Sequence, residues 1–315
     1  MLKRYGTATI AAALTTVLIW STSFAGMVAA LQHFSPGNLL FLRWGLTSLG
    51  FVIYGRMTGM RLPERRDLPT LILAGLLGFG VYQLLLVFGQ QAVSASMAGF
   101  LVNLNPVFTT LIAVAVGRES SSRYTWIGLV ACMAGLAIMG AAKGSFSGSG
   151  EGMALIAVAA LSFALYTIVS KPLFARYSPM EVTTYAMVAG SLPFLVFAPG
   201  AVHSVVTATP AQIATLVFLA ALPGGVAYAL WSRTVSAMPP GVAARFLYLV
   251  PVVGVLVAWV WLGEAPQLLT VLGGAVTVAG VTLAGMRTAG DALPAPSVAP
   301  AALVAIEASA AGEAA

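Results

Sequence analysis

Ten apolar runs of about twenty residues each, separated by short connections, occupy almost the whole chain up to residue 287. Crossing about 30 Å of hydrocarbon takes about 20 apolar residues of helix, so every run is long enough to span a bilayer. The runs fall at 7–31, 36–57, 68–90, 94–116, 122–142, 152–172, 179–198, 210–234, 240–262 and 266–287. Helix-breaking groups punctuate them: Ser35-Pro36-Gly37, Leu62-Pro63, Tyr177-Ser178-Pro179, Ala198-Pro199-Gly200 and Met238-Pro239-Pro240. Barrel strands are shorter and alternate, so the expected fold is an all-α integral membrane protein of ten transmembrane helices. Charged residues make up 8% of the 315, against about 25% in a soluble domain. That excludes an ordinary soluble enzyme. Cys132 is the single cysteine, which excludes an intramolecular disulfide and a cysteine-based metal cluster.

The first run follows Lys3 and Arg4 and is longer than the 7–15-residue core of a signal peptide. It is expected to remain as the first span. Residues 288–315 shift to Ala, Pro and acidic residues with no aromatic and read as a disordered tail.

Basic residues set the orientation. With the N-terminus inside, Lys3, Arg4, Arg56, Arg61, Arg65, Arg66, Arg118, Arg123, Lys171, Arg176, Arg233 and Arg287 all fall on cytoplasmic segments. Only Lys143 falls outside, while Arg43 and Arg245 lie within spans. The positive-inside rule then predicts a multi-pass protein of the cell membrane with both termini cytoplasmic. The net charge of +6 reflects topology, and no nucleic-acid partner is needed to explain it.

The chain also repeats itself. At an offset of 145, Pro106 meets Pro251, Glu119 meets Glu264, and Gly128, Gly135 and Gly140 meet Gly273, Gly280 and Gly285. At 143, Ser35-Pro36 meets Ser178-Pro179. Two five-helix halves are expected: 1–142, a Gly/Ser-rich external linker at 143–151, 152–287, and then the tail. Five is odd, so the second half enters from the opposite side. Such inverted repeats build alternating access around a midplane site in secondary transporters.

The ordered motifs resemble the drug/metabolite transporter superfamily with two EamA-type repeats. They are Trp20-Ser21-Thr22-Ser23-Phe24, Leu42-Arg43-Trp44, Asn105-Pro106-Val107 and Gly117-Arg118-Glu119 in the first half. In the second half they are Ala164-Leu165-Tyr166-Thr167, Leu230-Trp231-Ser232-Arg233, Tyr248-Leu249-Val250-Pro251-Val252 and Leu262-Gly263-Glu264. The resemblance covers about 7–287, with the YddG-like amino-acid exporters as the nearest branch. It implies a ten-helix carrier that exports amino acids or small metabolites. Val28, where many relatives carry lysine, and Arg118, inserted before Glu119, depart from the pattern.

Every acidic residue lies in a loop, at a span end or in the tail, and both histidines are external by this topology. No proton-carrying carboxylate is therefore expected at the bilayer centre, no metal site, and no cofactor. What stands at mid-depth is aromatic or uncharged: Trp20, Ser23, Tyr82, Gln83, Asn103, Asn105, Phe163, Tyr166, Tyr228, Trp231 and Tyr248. Amides and hydroxyls can hydrogen-bond a zwitterion while rings hold its side chain. Packing and helix–helix hydrogen bonding are the alternative roles of these side chains. Arg43, seven residues inside the second span, either snorkels outward or attracts a carboxylate at the external mouth. Pro106 and Pro251 are candidate hinges, with a static kink as the alternative. The expected function is secondary transport of neutral or aromatic amino acids or related metabolites, by a monomer as default. A membrane-embedded lipid-modifying enzyme, or a channel or scaffold, is the alternative.

Overall fold

The computed structural model describes residues 5–93, 95–142, 148–262 and 266–284. Glu264, Gly285, Arg287, Lys143, most of the linker and the tail 288–315 lie outside them. Among the described residues the chain forms ten helical rods in the expected order. They are α1 (Thr7–Leu31), α2 (Pro36–Thr58), α3 (Leu68–Gln90), α4 (Ala95–Val102 and Asn105–Ala115), α5 (Arg123–Ala142) and α6 (Gly150–Ala175). Then come α7 (Pro179–Val206), α8 (Pro210–Ala237), α9 (Pro240–Ala244 through Leu249–Leu262) and α10 (Leu268–Ala284). Seven of them are long and apolar enough to cross a membrane by length and composition alone. Helix α2 carries Arg43 and Arg56, and α10 is described over 17 residues.

The duplicated Ser-Pro pairs both begin helices. Ser35 and Ser178 are N-caps that accept the backbone N–H of Asn38 and Glu181, each at 3.3 Å, with proline at the first helical position after each. A second duplication lies in the helix geometry itself. Helix α3 loosens to π geometry over Leu76–Val81, and α8 does so over Ala220–Val226.

The halves meet about a pseudo-two-fold axis, because repeat mates touch one another. Ser48 and Ser191 hydroxyls lie 3.0 Å apart across an offset of 143. Gln83 Nε2 donates to Tyr228 Oη at 3.1 Å across 145, and the Cys132 thiol reaches Thr277 O at 3.5 Å across 145. The rings of Trp20 and Phe163, 143 apart, meet edge-on with centroids at 6.2 Å.

Helices α5 and α10 form the closest pair. A Cβ on Gly128 would meet Gly280 O at 2.6 Å, and one on Gly135 would meet Gly273 O at 2.6 Å. Ascending residues of one helix oppose descending residues of the other, so the pair is antiparallel. The contact is also self-complementary, because each glycine faces the mate of the other. Apolar surface gains little from leaving lipid, so close backbone approach through small residues holds such helices together.

Gly135→Val should therefore lower the thermal unfolding midpoint of the detergent-solubilised protein, by the equivalent of about 1–3 kcal/mol of overpacking. Gly45→Ala, where a Cβ meets nothing within 4 Å, should leave the midpoint unchanged or raised.

Candidate functional site

The site begins with a defect in α8. Pro223 has no N–H, so Leu219 O, four residues earlier, lacks its i+4 donor, and α8 widens there to π geometry. Side chains of the first half also donate to the carbonyls of this stretch. Arg43 Nε donates to Leu219 O at 3.3 Å, Thr47 Oγ1 to Ala220 O at 2.9 Å, and Trp20 Nε1 to Pro223 O at 3.1 Å. In α3, Ser162 Oγ of α6 donates to Leu77 O at 2.8 Å.

Arg43 therefore does not snorkel. It is 5% exposed, its guanidinium carbon lies 4.8 Å from the centre of the Trp44 ring, and its second nitrogen contact is the weak acceptor Sδ of Met27 at 3.2 Å. Among the described residues no carboxylate lies within 4.0 Å of it. A buried cation without a counter-charge is strongly disfavoured unless water or a ligand compensates it.

Its surroundings enclose a cavity of about 100 Å³. The wall brings together Trp20, Ser23, Arg43, Tyr82, Gln83, Asn103, Asn105, Phe163 and Tyr228. Three other expected residues do not reach it. The Tyr166 ring is packed over the backbone of Gly78 and against Phe79. Trp231 lies against Trp20 and Phe163, with centroids at 5.5 and 6.2 Å. Tyr248 joins Leu129, Cys132, Leu136 and Met139 in a separate core. Asn105 also ties two helices, its Nδ2 donating to Ala160 O at 3.1 Å, whereas Asn103 Nδ2 donates to Gly99 O of its own helix at 2.7 Å.

Met27, Leu86, Gln90, Val102, Leu247 and Val250 complete the wall. Apolar residues carry no signal in so apolar a chain. Gln83, Leu86 and Gln90 do share one helical face at i, i+3 and i+7, a pattern that could have singled out Gln90. Pro106 opens the second segment of α4, directly after the interruption at Asn103–Leu104, and Pro251 follows a 3₁₀ stretch, Arg245–Tyr248, in α9. Both prolines stand where their helices are already broken.

The cavity lies toward one end of the bundle. Gln90 ends α3 and Met27 stands four residues from the end of α1. The other end carries Arg61, Arg65, Arg66, Arg118 and Arg176 and is tied shut. Arg176 pairs with Asp67 and with Glu64 at 2.9 Å, and Arg61 pairs with Glu181 at 3.5 Å. Tyr177 Oη donates to Asp67 at 2.6 Å and accepts the N–H of Glu64 at 2.9 Å. Its bond to the Asp67 carboxylate raises the phenol above its usual pKa. Glu119 Oε1 accepts Gly241 N–H at the start of α9 at 2.7 Å, and Lys171 Nζ donates to the carbonyls of Val235, Ser236 and Met238 at 2.7–2.8 Å.

A ten-helix bundle with symmetric broken helices around an internal cavity has counterparts among known proteins. Residues 7–141 and 150–286 each match the EamA-like transporter family. The chain belongs to that family. Both halves match it, as the internal repeat requires. One relative, an uncharacterized transporter YdfC of Bacillus subtilis, is 31% identical over 263 residues, covering 84% of this chain and 86% of the relative. Another, a probable terminal-alkyne amino-acid exporter of Streptantibioticus cattleyicolor, is 35% identical over 278 residues, covering 87% and 92%. A probable amino-acid metabolite efflux pump of Salmonella typhimurium is 25% identical and covers 85% and 92%. A solved crystal structure superimposes with a TM-score of 0.72 at 20% identity, covering 89% of this chain and 98% of that one. The protein is thus a multi-pass membrane transporter and not an enzyme.

The closed end is open to a direct test. A raised phenol stabilises the fold fully below its unfolded pKa, and this contribution is lost as pH rises through the folded value. Tyr177→Phe should lower the unfolding midpoint at neutral pH. It should also lessen the further fall seen when the detergent-solubilised protein is titrated into the alkaline range.

Proposed function

We propose that the protein carries neutral amino acids, aromatic ones included, or closely related zwitterionic metabolites across the cell membrane by alternating access. The observation that carries this reading is Arg43, a buried cation that borders the cavity with no carboxylate beside it. A substrate carboxylate is the charge it lacks. The amide oxygens of Gln83, Gln90 and Asn103 stand on the same wall for the ammonium group, with Trp20 and Phe163 for the side chain. Two relatives, a probable terminal-alkyne amino-acid exporter and a probable amino-acid metabolite efflux pump, point the same way.

In this reading the basic end faces the cytoplasm, and the cavity is poised toward the outside. The halves 1–142 and 152–287 are the moving units, and Pro106 and Pro251 serve as their hinges beside the interruptions of α4 and α9. No Asp or Glu borders the cavity among the described residues, so the carrier works by facilitated diffusion or exchange without an obligatory proton. A single chain encloses the cavity, and we take the monomer as the transporting unit.

Purified protein in liposomes should show saturable uptake and counterflow of labelled neutral amino acids. A panel of aromatic, aliphatic, charged and non-amino-acid solutes should rank zwitterions first. Absence of saturable flux across the whole panel would overturn the reading, as would conductance without counterflow.

Arg43→Gln should raise the half-saturation concentration for carboxylate-bearing substrates about 10- to 150-fold. This corresponds to a lost charge-assisted bond of about 1.5–3 kcal/mol. The same substitution should change little for the amide analogue of the same amino acid. Equal losses for acid and amide would remove Arg43 from carboxylate recognition.

A further inference from the structure

The two halves hold equivalent residues in unlike surroundings. Mates are assigned by the offset of 143 for α1 and α2 against α6 and α7, and 145 for α3 to α5 against α8 to α10. The cross-axis contacts fix both values. Four pairs have both members on the cavity wall: Trp20 with Phe163, Gln83 with Tyr228, Val102 with Leu247, and Asn105 with Val250. These pairs lie along the axis and belong equally to either half.

Every other residue on the wall comes from the first half, and its mate is packed away. Ser23 lines the cavity, and its mate Tyr166 is 1% exposed. Leu86 and Asn103 line it, and their mates Trp231 and Tyr248 are 1% and 0% exposed. The same holds for Met27 with Ser170 and for Tyr82 with Ala227. The three aromatic residues that stand off the present cavity are thus counterparts of three that form it. When inverted repeats exchange conformations, the open face passes to the other side, and these mates become its wall.

An independent observation bears on the same residues. Trp231 Nε1 and Tyr248 Oη are buried with no hydrogen-bond partner among the described residues. Buried polar atoms are almost always satisfied. Both belong to the surface that inversion would open.

We propose that Tyr166, Trp231 and Tyr248 form a second solute-binding surface, presented to the basic side of the membrane when the halves exchange conformations. It rests on the alternating-access reading above. The mate of Arg43 is Ala186, so this surface carries no cation at the equivalent position. The indole N–H and the phenol hydroxyl hold the carboxylate there as neutral donors, while the Tyr166 ring covers the side chain. The two access states therefore bind one solute with unlike groups, the Arg43 guanidinium on one side and an indole N–H and a phenol hydroxyl on the other.

Sided cysteine labelling tests this. In a Cys132→Ser background, Ser23→Cys, Ser170→Cys and Ala227→Cys are made singly and placed in sealed vesicles of known orientation. A membrane-impermeant thiosulfonate is then added from either face. Ser23→Cys should react from the face away from the basic loops. Ala227→Cys and Ser170→Cys should react from the basic face, at a rate reduced in proportion to a minor state populated at about 0.1–10%. Protection of both from either face, or labelling from the same face as Ser23→Cys, would overturn the proposal. As a second measurement, Trp231→Phe and Tyr248→Phe should raise the half-saturation concentration severalfold more for solute entering from the basic face. Equal effects on the two faces would count against it. Labelling needs no substrate, so sided labelling without amino-acid flux would strike only the solute assignment. Flux without labelling from the basic face would strike only the second surface.

Discussion

Everything in this structure depends on satisfying backbone hydrogen bonds where water is absent. A span crossing hydrocarbon must pair its own N–H and C=O groups, and a break is tolerated only where protein supplies substitutes. Pro223 makes such a break in α8, and Arg43, Thr47 and Trp20 supply the substitutes. The consequence reaches beyond helix geometry. The bond to Leu219 O holds an arginine inside the bundle, so a backbone requirement brings a positive charge to the cavity wall.

The same constraint links the defects of the two halves. The π segments of α3 and α8 are repeat mates, and side chains from other helices donate to carbonyls of both. The interruptions of α4 and α9 form a second pair, each followed closely by proline. In the alternating-access reading proposed above, these broken helices are the points at which the bundle would change its packing. Helices α5 and α10, pressed together through glycines, have no such defect and hold the halves together.

Much of the fold was legible in the sequence, for identifiable reasons. Apolar run length is a direct readout of bilayer thickness, so all ten rods were found in order. Ser35 and Ser178 marked helix starts because capping chemistry is local. Proline and glutamate are scarce enough here for their repetition to reveal duplication. The cavity was legible only in part. Trp20, Gln83, Asn103, Asn105 and Phe163 stood out as polar or aromatic at mid-depth, but the same signal marked Tyr166, Trp231 and Tyr248, which the present packing places off the wall. Mid-depth chemistry identifies groups that belong near the axis without saying which side of it is open.

Sequence by itself determined the ten helices, the duplication and the absence of acidic residues from mid-span, because hydrophobic length, repetition and charge placement are properties of the chain alone. Only the tertiary structure decided that Arg43 is buried toward the axis, that Gln83 meets Tyr228, and that one end of the bundle is tied by Arg176, Asp67 and Tyr177. Those facts depend on which carbonyls of a broken helix accept from other helices and on how the two halves pack against each other. Neither is written in any single segment.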